Sequence, residues 1–179
     1  RTEPFHITPD PYFFYLSPSH KETFASMLYG IKYRKGFVAV TGEVGLGKTT
    51  ALRSFLDRYI SQEKVKTVFV YNPNISFSEL IKIIHFEFGE KLPQGLKENT
   101  GLTRSDKIFE MVQNLHSLLI NYYKKGFNVI LVIDEAQNMP ISTLENLRML
   151  SNLETSQNKL LQIILIGQPE LEKKLNMDR

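Results

Sequence analysis

Eight consecutive residues restrict the possible folds of this chain more than any other stretch: Gly42-Glu43-Val44-Gly45-Leu46-Gly47-Lys48-Thr49. They satisfy every fixed position of G-x-x-x-x-G-K-[ST], a pattern that works only between a strand and a helix. Both neighbours are legible. Phe37-Val38-Ala39-Val40-Thr41 reads as a buried strand, and beyond Lys48 the residues Leu52, Phe55, Leu56 and Tyr59 recur at helical spacing. The glycines accept positive φ and close backbone approach, so successive N–H groups can point at phosphate oxygens. The helix start adds its positive dipole end to the same anion. Lys48 can bridge the β- and γ-phosphates of a nucleotide, and the Thr49 hydroxyl can ligate magnesium. Gly42 to Thr49, with Thr50 behind them, form the candidate nucleotide-binding set.

Short apolar runs alternate with helical patterns along the rest of the chain. Residues 67–71, 128–133 and 160–166 read as strands. Helices are expected at 77–88 and 105–124, the second with Ile108, Met111, Val112, Leu115, Leu118, Leu119 and Tyr122 on one face. Another opens through the box Ser142-x-x-Glu145 with Leu144, Leu147 and Leu150 inward, and a short one closes the chain. Residues 89–104 mix Gly, Pro, Asn and Lys without periodicity and read as a surface loop. At the start, prolines at 4, 9 and 11 interrupt any helix, leaving an extended arm with Phe5, Tyr12, Phe13, Phe14 and Tyr15. A helix follows from Ser17-Pro18, or from Ser19-x-x-Glu22, with the stripe Phe24, Met27, Leu28 and Ile31. Strands apolar on both faces, alternating with helices, imply a parallel sheet covered on both sides. The expected fold is α/β in three layers, one domain over residues 1–179, with the arm and first helix in 1–35 and the core in 36–179.

A second motif completes the first. Val129-Ile130-Leu131-Val132-Ile133 delivers Asp134-Glu135 to the carboxyl edge of such a sheet, where ligands bind in open α/β folds. Asp134 would hold the magnesium shell, making Thr49 and Asp134 the candidate metal residues. Glu135 would orient or deprotonate an attacking water. Gln168, in Ile166-Gly167-Gln168-Pro169-Glu170, would approach the γ-phosphate if its strand lies beside the phosphate strand; otherwise it is a turn residue. The candidate catalytic residues are therefore Lys48, Glu135 and Gln168. Arg148 is either a solvated helix position or a group that reaches a neighbouring subunit's nucleotide.

Composition excludes several other chemistries. The absence of cysteine removes disulfides, zinc–thiolate sites and thiol catalysis. His6, His20, His85 and His116 have no metal-ligand spacing. No apolar run has the length of a membrane-spanning helix, and nothing at the start resembles a secretory leader. Arg1 in place of Met reads as the start of a fragment. The net charge of +3 permits weak nucleic-acid affinity without requiring it. Lys32-Tyr33-Arg34-Lys35 and Lys124-Lys125 read as solvated helix ends.

The segment from Pro4 to Ser17 resembles the start of general secretion pathway protein A ATPases, the ExeA-like branch of the AAA+ superfamily of P-loop NTPases. Tyr29-Gly30-Ile31, Gly36-Phe37, Asp134-Glu135-Ala136-Gln137-Asn138, Leu147-Arg148-Met149-Leu150-Ser151-Asn152-Leu153-Glu154-Thr155 and Gly167-Gln168-Pro169-Glu170-Leu171 are similar to the same family. The resemblance implies a cytoplasmic, Mg2+-dependent ATPase domain, possessed by an inner-membrane-associated protein that works with an inner-membrane partner in type II secretion. It implies self-association on ATP binding, places Gln168 at the position resembling sensor 1, and sets the helical lid after Leu175, beyond this chain. It also suggests that Tyr15 or Phe5 lies by the nucleotide base. A related reading is the transposition-helper ATPase, which binds DNA and uses ATP as a switch.

Overall fold

The computed structural model describes residues 18–43, 48, 49, 52, 56, 64–89 and 103–177, with backbone only at 18–21, 24 and 104. Within them lie four strands, β1 Phe37–Thr41, β2 Val65–Val70, β3 Asn128–Ile133 and β4 Leu161–Gly167. The helices are α1 Pro18–Lys32, α2 Phe77–Glu87, α3 Arg104–Lys124, α4 Ile141–Ser151 and α5 Pro169–Asn176, with a single 3-10 turn at Ala136–Asn138. Lys48, Thr49, Leu52 and Leu56 are helical as well.

All strand pairings are parallel, in the order β1-β4-β3-β2. Parallel neighbours need crossovers, and the helices supply them on both faces. The alternation in β3 shows the division. Val129, Leu131 and Ile133 face the cluster built by α2, α3 and α4, while Ile130 and Val132 face Met27, Ile31, Leu52 and Leu56. Each such aliphatic, once fully buried, contributes about 1.5–3 kcal/mol. Three layers result, as expected from strands apolar on both faces.

Most element boundaries agree with the sequence expectation to within two residues, and the differences have local causes. β1 is half-buried rather than buried, with Ala39 and Thr41 exposed, because it forms the edge of the four described strands. Leu28 is 36% exposed, so only Met27 and Ile31 of the described stripe reach the core. The Ser142 box does not open α4. Pro140, in extended conformation, occupies the cap, and its carbonyl accepts the N–H groups of Thr143 and Leu144, which starts the helix two residues earlier than a Ser142 cap would. Helix α3 instead begins through a Thr103–Asp106 capping box. The aromatic arm, most of residues 89–104, Phe55 and Tyr59 lie outside the described residues.

Candidate functional site

Strand register brings the motifs together. Thr41 pairs with Gly167, Leu165 with Ile133, and Ile133 with Val70, so these strand ends share one edge of the sheet. The next residues, Gly42, Gln168 and Asp134, therefore emerge side by side. The edge is tied by backbone bonds: Gly42 N–H donates to Gly167 O at 3.2 Å, and Asp134 N–H donates to Val70 O at 2.9 Å.

Two motifs distant in sequence meet through side chains. The Thr49 hydroxyl donates to the Asp134 carboxylate, with Oγ1 2.9 Å from Oδ2 and 3.1 Å from Oδ1. A hydroxyl and a carboxylate at this separation form a hard oxygen donor pair of the kind that suits Mg2+. Lys48 Nζ donates to the carbonyls of Gly42 and Glu43, each at 2.6 Å, which sets its ammonium at the head of the glycine loop. Among the described residues no group of three or more His, Cys, Asp or Glu gathers. Any cation here would need ligands from phosphate or water besides these two side chains. Val44 to Gly47 and Thr50 lie outside the described residues, as do Phe5 and Tyr15.

Glu135 is the strained member of the site. Its backbone is left-handed at φ 51 and ψ 38, a conformation that costs a residue with a Cβ about 1–3 kcal/mol. Its N–H donates to Asp134 Oδ1 at 2.9 Å. Its carboxylate Oε2 accepts two amides, Gln137 Nε2 at 2.6 Å and Gln168 Nε2 at 3.3 Å. Because β4 lies between β1 and β3, Gln168 stands between the glycine loop and the acid pair, as its conditional reading requires.

Gln137 was not singled out by sequence reasoning. The sequence carried only a faint signal, an amide two residues past the acid pair between the apolar Ala136 and Met139, and the burial of all three is visible only in the structure. Arg148 is exposed on α4, next to Leu144, Lys174 and Leu175 around a small cleft. Arg34 is not a solvated helix end. Its guanidinium donates to the carbonyls of Lys159 and Phe127, both at 3.3 Å, at the opposite edge of the sheet. His85 is buried, with Nδ1 2.9 Å from Ile81 O, and takes no part in the site.

A family model described as an AAA domain matches residues 31–175. General secretion pathway protein A of Aeromonas hydrophila is 38% identical over 172 residues, covering 96% of this chain and 29% of that protein. This chain thus spans less than a third of that relative's length. Among solved structures, Cdc6p from Pyrobaculum aerophilum aligns with a TM-score of 0.64 at 20% identity, over 91% of this chain and 41% of that one. The Drosophila ORC in its DNA-bound structure aligns with a TM-score of 0.60 at 19% identity, over the same shares. At those identities the likeness is one of fold, and it agrees with the α/β architecture expected from the glycine loop.

Proposed function

Because the chain belongs to the AAA domain family, we propose that it binds ATP with Mg2+ at the carboxyl edge of its sheet and hydrolyses it. The observation that most supports this reading is the Thr49–Asp134 hydrogen bond, which joins the glycine loop to the acid pair across 85 positions of sequence. A strand-end turn without a ligand has no need of that pairing. The backbone of residues 42–49 would cradle the phosphates, and Lys48 would give up its two carbonyls for phosphate oxygens. Thr49 and Asp134 would hold Mg2+, which when bound supplies positive charge to the phosphate oxygens. Glu135 would accept a proton from the attacking water as the water oxygen bonds to the γ-phosphorus and the bridging oxygen leaves with ADP. Gln168 would hold the Glu135 carboxylate from the β4 side. By similarity to the secretion pathway relative, the ATPase would serve a secretion apparatus, self-associating on ATP and acting with an inner-membrane partner.

The test is turnover of Mg-ATP by the chain beside Lys48→Ala and Glu135→Gln, with molecular mass measured with and without ATP. Lys48→Ala is expected to lose nucleotide binding. Glu135→Gln is expected to keep binding and lose turnover by about 100-fold or more. Turnover in Glu135→Gln equal to that of the unaltered chain would remove the hydrolytic reading. An unchanged mass on adding ATP would remove self-association and leave the chemistry standing.

A further inference from the structure

We propose that Gln137 is a positioning residue for Glu135, fixing one carboxylate oxygen so that the other is presented to the attacking water. This rests on the hydrolytic reading of the same site and assigns a role to a residue outside the glycine loop, the acid pair and Gln168.

Four observations carry it. Gln137 is only 9% exposed, and a buried amide must find partners at both of its ends. It finds them within the site: Nε2 donates to Glu135 Oε2 at 2.6 Å, and Oε1 accepts the Gln168 backbone N–H at 3.1 Å. One side chain thereby sets both the carboxylate and the backbone from which Gln168 reaches the same oxygen. Next, the fold keeps the space clear. A Cβ on Gly167 would come within 2.9 Å of Gln137 Oε1, so the residue before Gln168 is held to glycine by this amide together with Leu171. Third, the turn that carries Gln137 is anchored from outside. Lys174 Nζ on α5 donates to Gln137 O at 2.6 Å and Met139 O at 3.0 Å. Last, both amides converge on Oε2, and among the described residues Oε1 of Glu135 makes no hydrogen bond. The arrangement gives the carboxylate one tethered and one available oxygen, on a backbone already held in a left-handed conformation.

A purely structural Gln137 would stabilise the turn without acting through Glu135, and two measurements separate the cases. The first is nucleotide-free. The side-chain amide resonance of Gln137, identified by its loss in Gln137→Met, is expected to be protected from exchange and to move to the position of a free amide in Glu135→Ala. A resonance that does not move overturns the pairing. The second is steady-state turnover of Mg-ATP by Gln137→Met and Gln137→Glu, each in the unaltered and Glu135→Gln backgrounds, with Tm measured throughout. Gln137→Glu keeps an oxygen for the Gln168 N–H but replaces the donor to Glu135 with a second carboxylate, and so adds like-charge repulsion. Gln137→Met removes the donor without adding charge. Both variants are expected to lower kcat by about 10–100-fold with KM little changed, and to lower it no further in the Glu135→Gln background. An equal fall of kcat in both backgrounds, or a fall in Tm with kcat intact, overturns the inference. Turnover that depends on Glu135 but not on Gln137 sinks this inference alone. Turnover indifferent to Glu135 sinks the hydrolytic reading beneath it.

Discussion

The two edges of the sheet are built from similar parts put to different use. Each has a buried glutamine, Gln137 at the carboxyl edge and Gln162 at the amino edge. Each also has one of the two non-glycine residues of positive φ found among the described residues, Glu135 and Arg34. At the amino edge Gln162 and Arg34 both hydrogen-bond backbone groups, and Arg34 also packs on an aromatic ring. Gln162 accepts from the Gly36 N–H at 2.9 Å and donates to Lys159 O at 3.2 Å, and Arg34 shares that Lys159 carbonyl while lying over the Tyr123 ring. Main-chain groups held by the sheet have nowhere to go, so the strain at Arg34 is converted into a fixed junction between α1, β1 and β4. At the carboxyl edge the glutamine instead holds an exposed carboxylate, a group able to take a proton. What lies at the far end of the amide decides whether the same device serves stability or chemistry.

Asp134→Asn set against Gln162→Met should separate the two edges most widely. Asn keeps the shape of Asp134 and an oxygen for Thr49 but removes the charge from the magnesium position. Turnover is expected to fall by about 100-fold, and its dependence on Mg2+ concentration to weaken. Gln162→Met leaves the buried Gly36 N–H without its acceptor and takes one of two described donors from the half-buried Lys159 carbonyl. It should cost about 1–3 kcal/mol of stability, read as a lower Tm, while kcat per folded molecule stays unchanged. If Gln162→Met lowered kcat as Asp134→Asn does, the division of labour between the edges would be wrong.

A pair of glycines gives an intermediate contrast. In Gly167→Ala the new Cβ would meet Leu171 Cδ2 at 2.8 Å and Gln137 Oε1 at 2.9 Å, so the amide that holds Glu135 must shift. A loss of kcat by about tenfold is expected, with nucleotide affinity retained. Gly36 lies at φ +86, where a Cβ is unfavourable by about 1–2 kcal/mol whatever the space around it. Gly36→Ala should therefore lower Tm and spare kcat. Equal effects of the two on kcat would mean that the strained amino edge is coupled to the site through the strands.

What the sequence disclosed and what it withheld divide along the same line. The glycine loop and the acid pair were legible because their chemistry demands fixed residue types at fixed spacing, and β3 was legible because it is apolar at nearly every position. The parallel sheet followed from strands buried on both faces. The partners of Arg34 were not legible: it contacts carbonyls 93 and 125 positions away, and no local pattern encodes a bond to a backbone oxygen. Gln137 escaped notice for a related reason. Its importance lies in being buried beside Gly167, which depends on β4 inserting between β1 and β3. The start of α4 was misplaced because Ser142-x-x-Glu145 has the form of a capping box, while Pro140, with its extended conformation, takes the cap first.

The smallest expected effect concerns polar side chains that meet backbone N–H groups away from both glutamines, at the starts of α2 and α3. Glu79 accepts from the Ser76 hydroxyl at 2.6 Å and from its N–H at 2.8 Å, and these two bonds lower its pKa below the ordinary value of 4.5. Asp106 accepts from the Thr103 hydroxyl at 2.6 Å and its N–H at 3.1 Å, and its pKa falls below 3.8 for the same reason. A carboxylate whose pKa is depressed on folding contributes stability above its unfolded value. That contribution is lost as pH falls through the lower folded value. Both carboxylates are exposed, so solvent screens the gain and the effect is slight. In Glu79→Gln and Asp106→Asn the decline of Tm between neutral pH and the region below 4 should become shallower, and Tm near pH 7 should drop only slightly. Turnover should stay at its original rate in both variants, since neither box touches the carboxyl-edge amides. A variant that lost kcat while keeping Tm would extend the functional edge into the helix caps, and the contrast between the two ends of the sheet would then have to include α2 and α3.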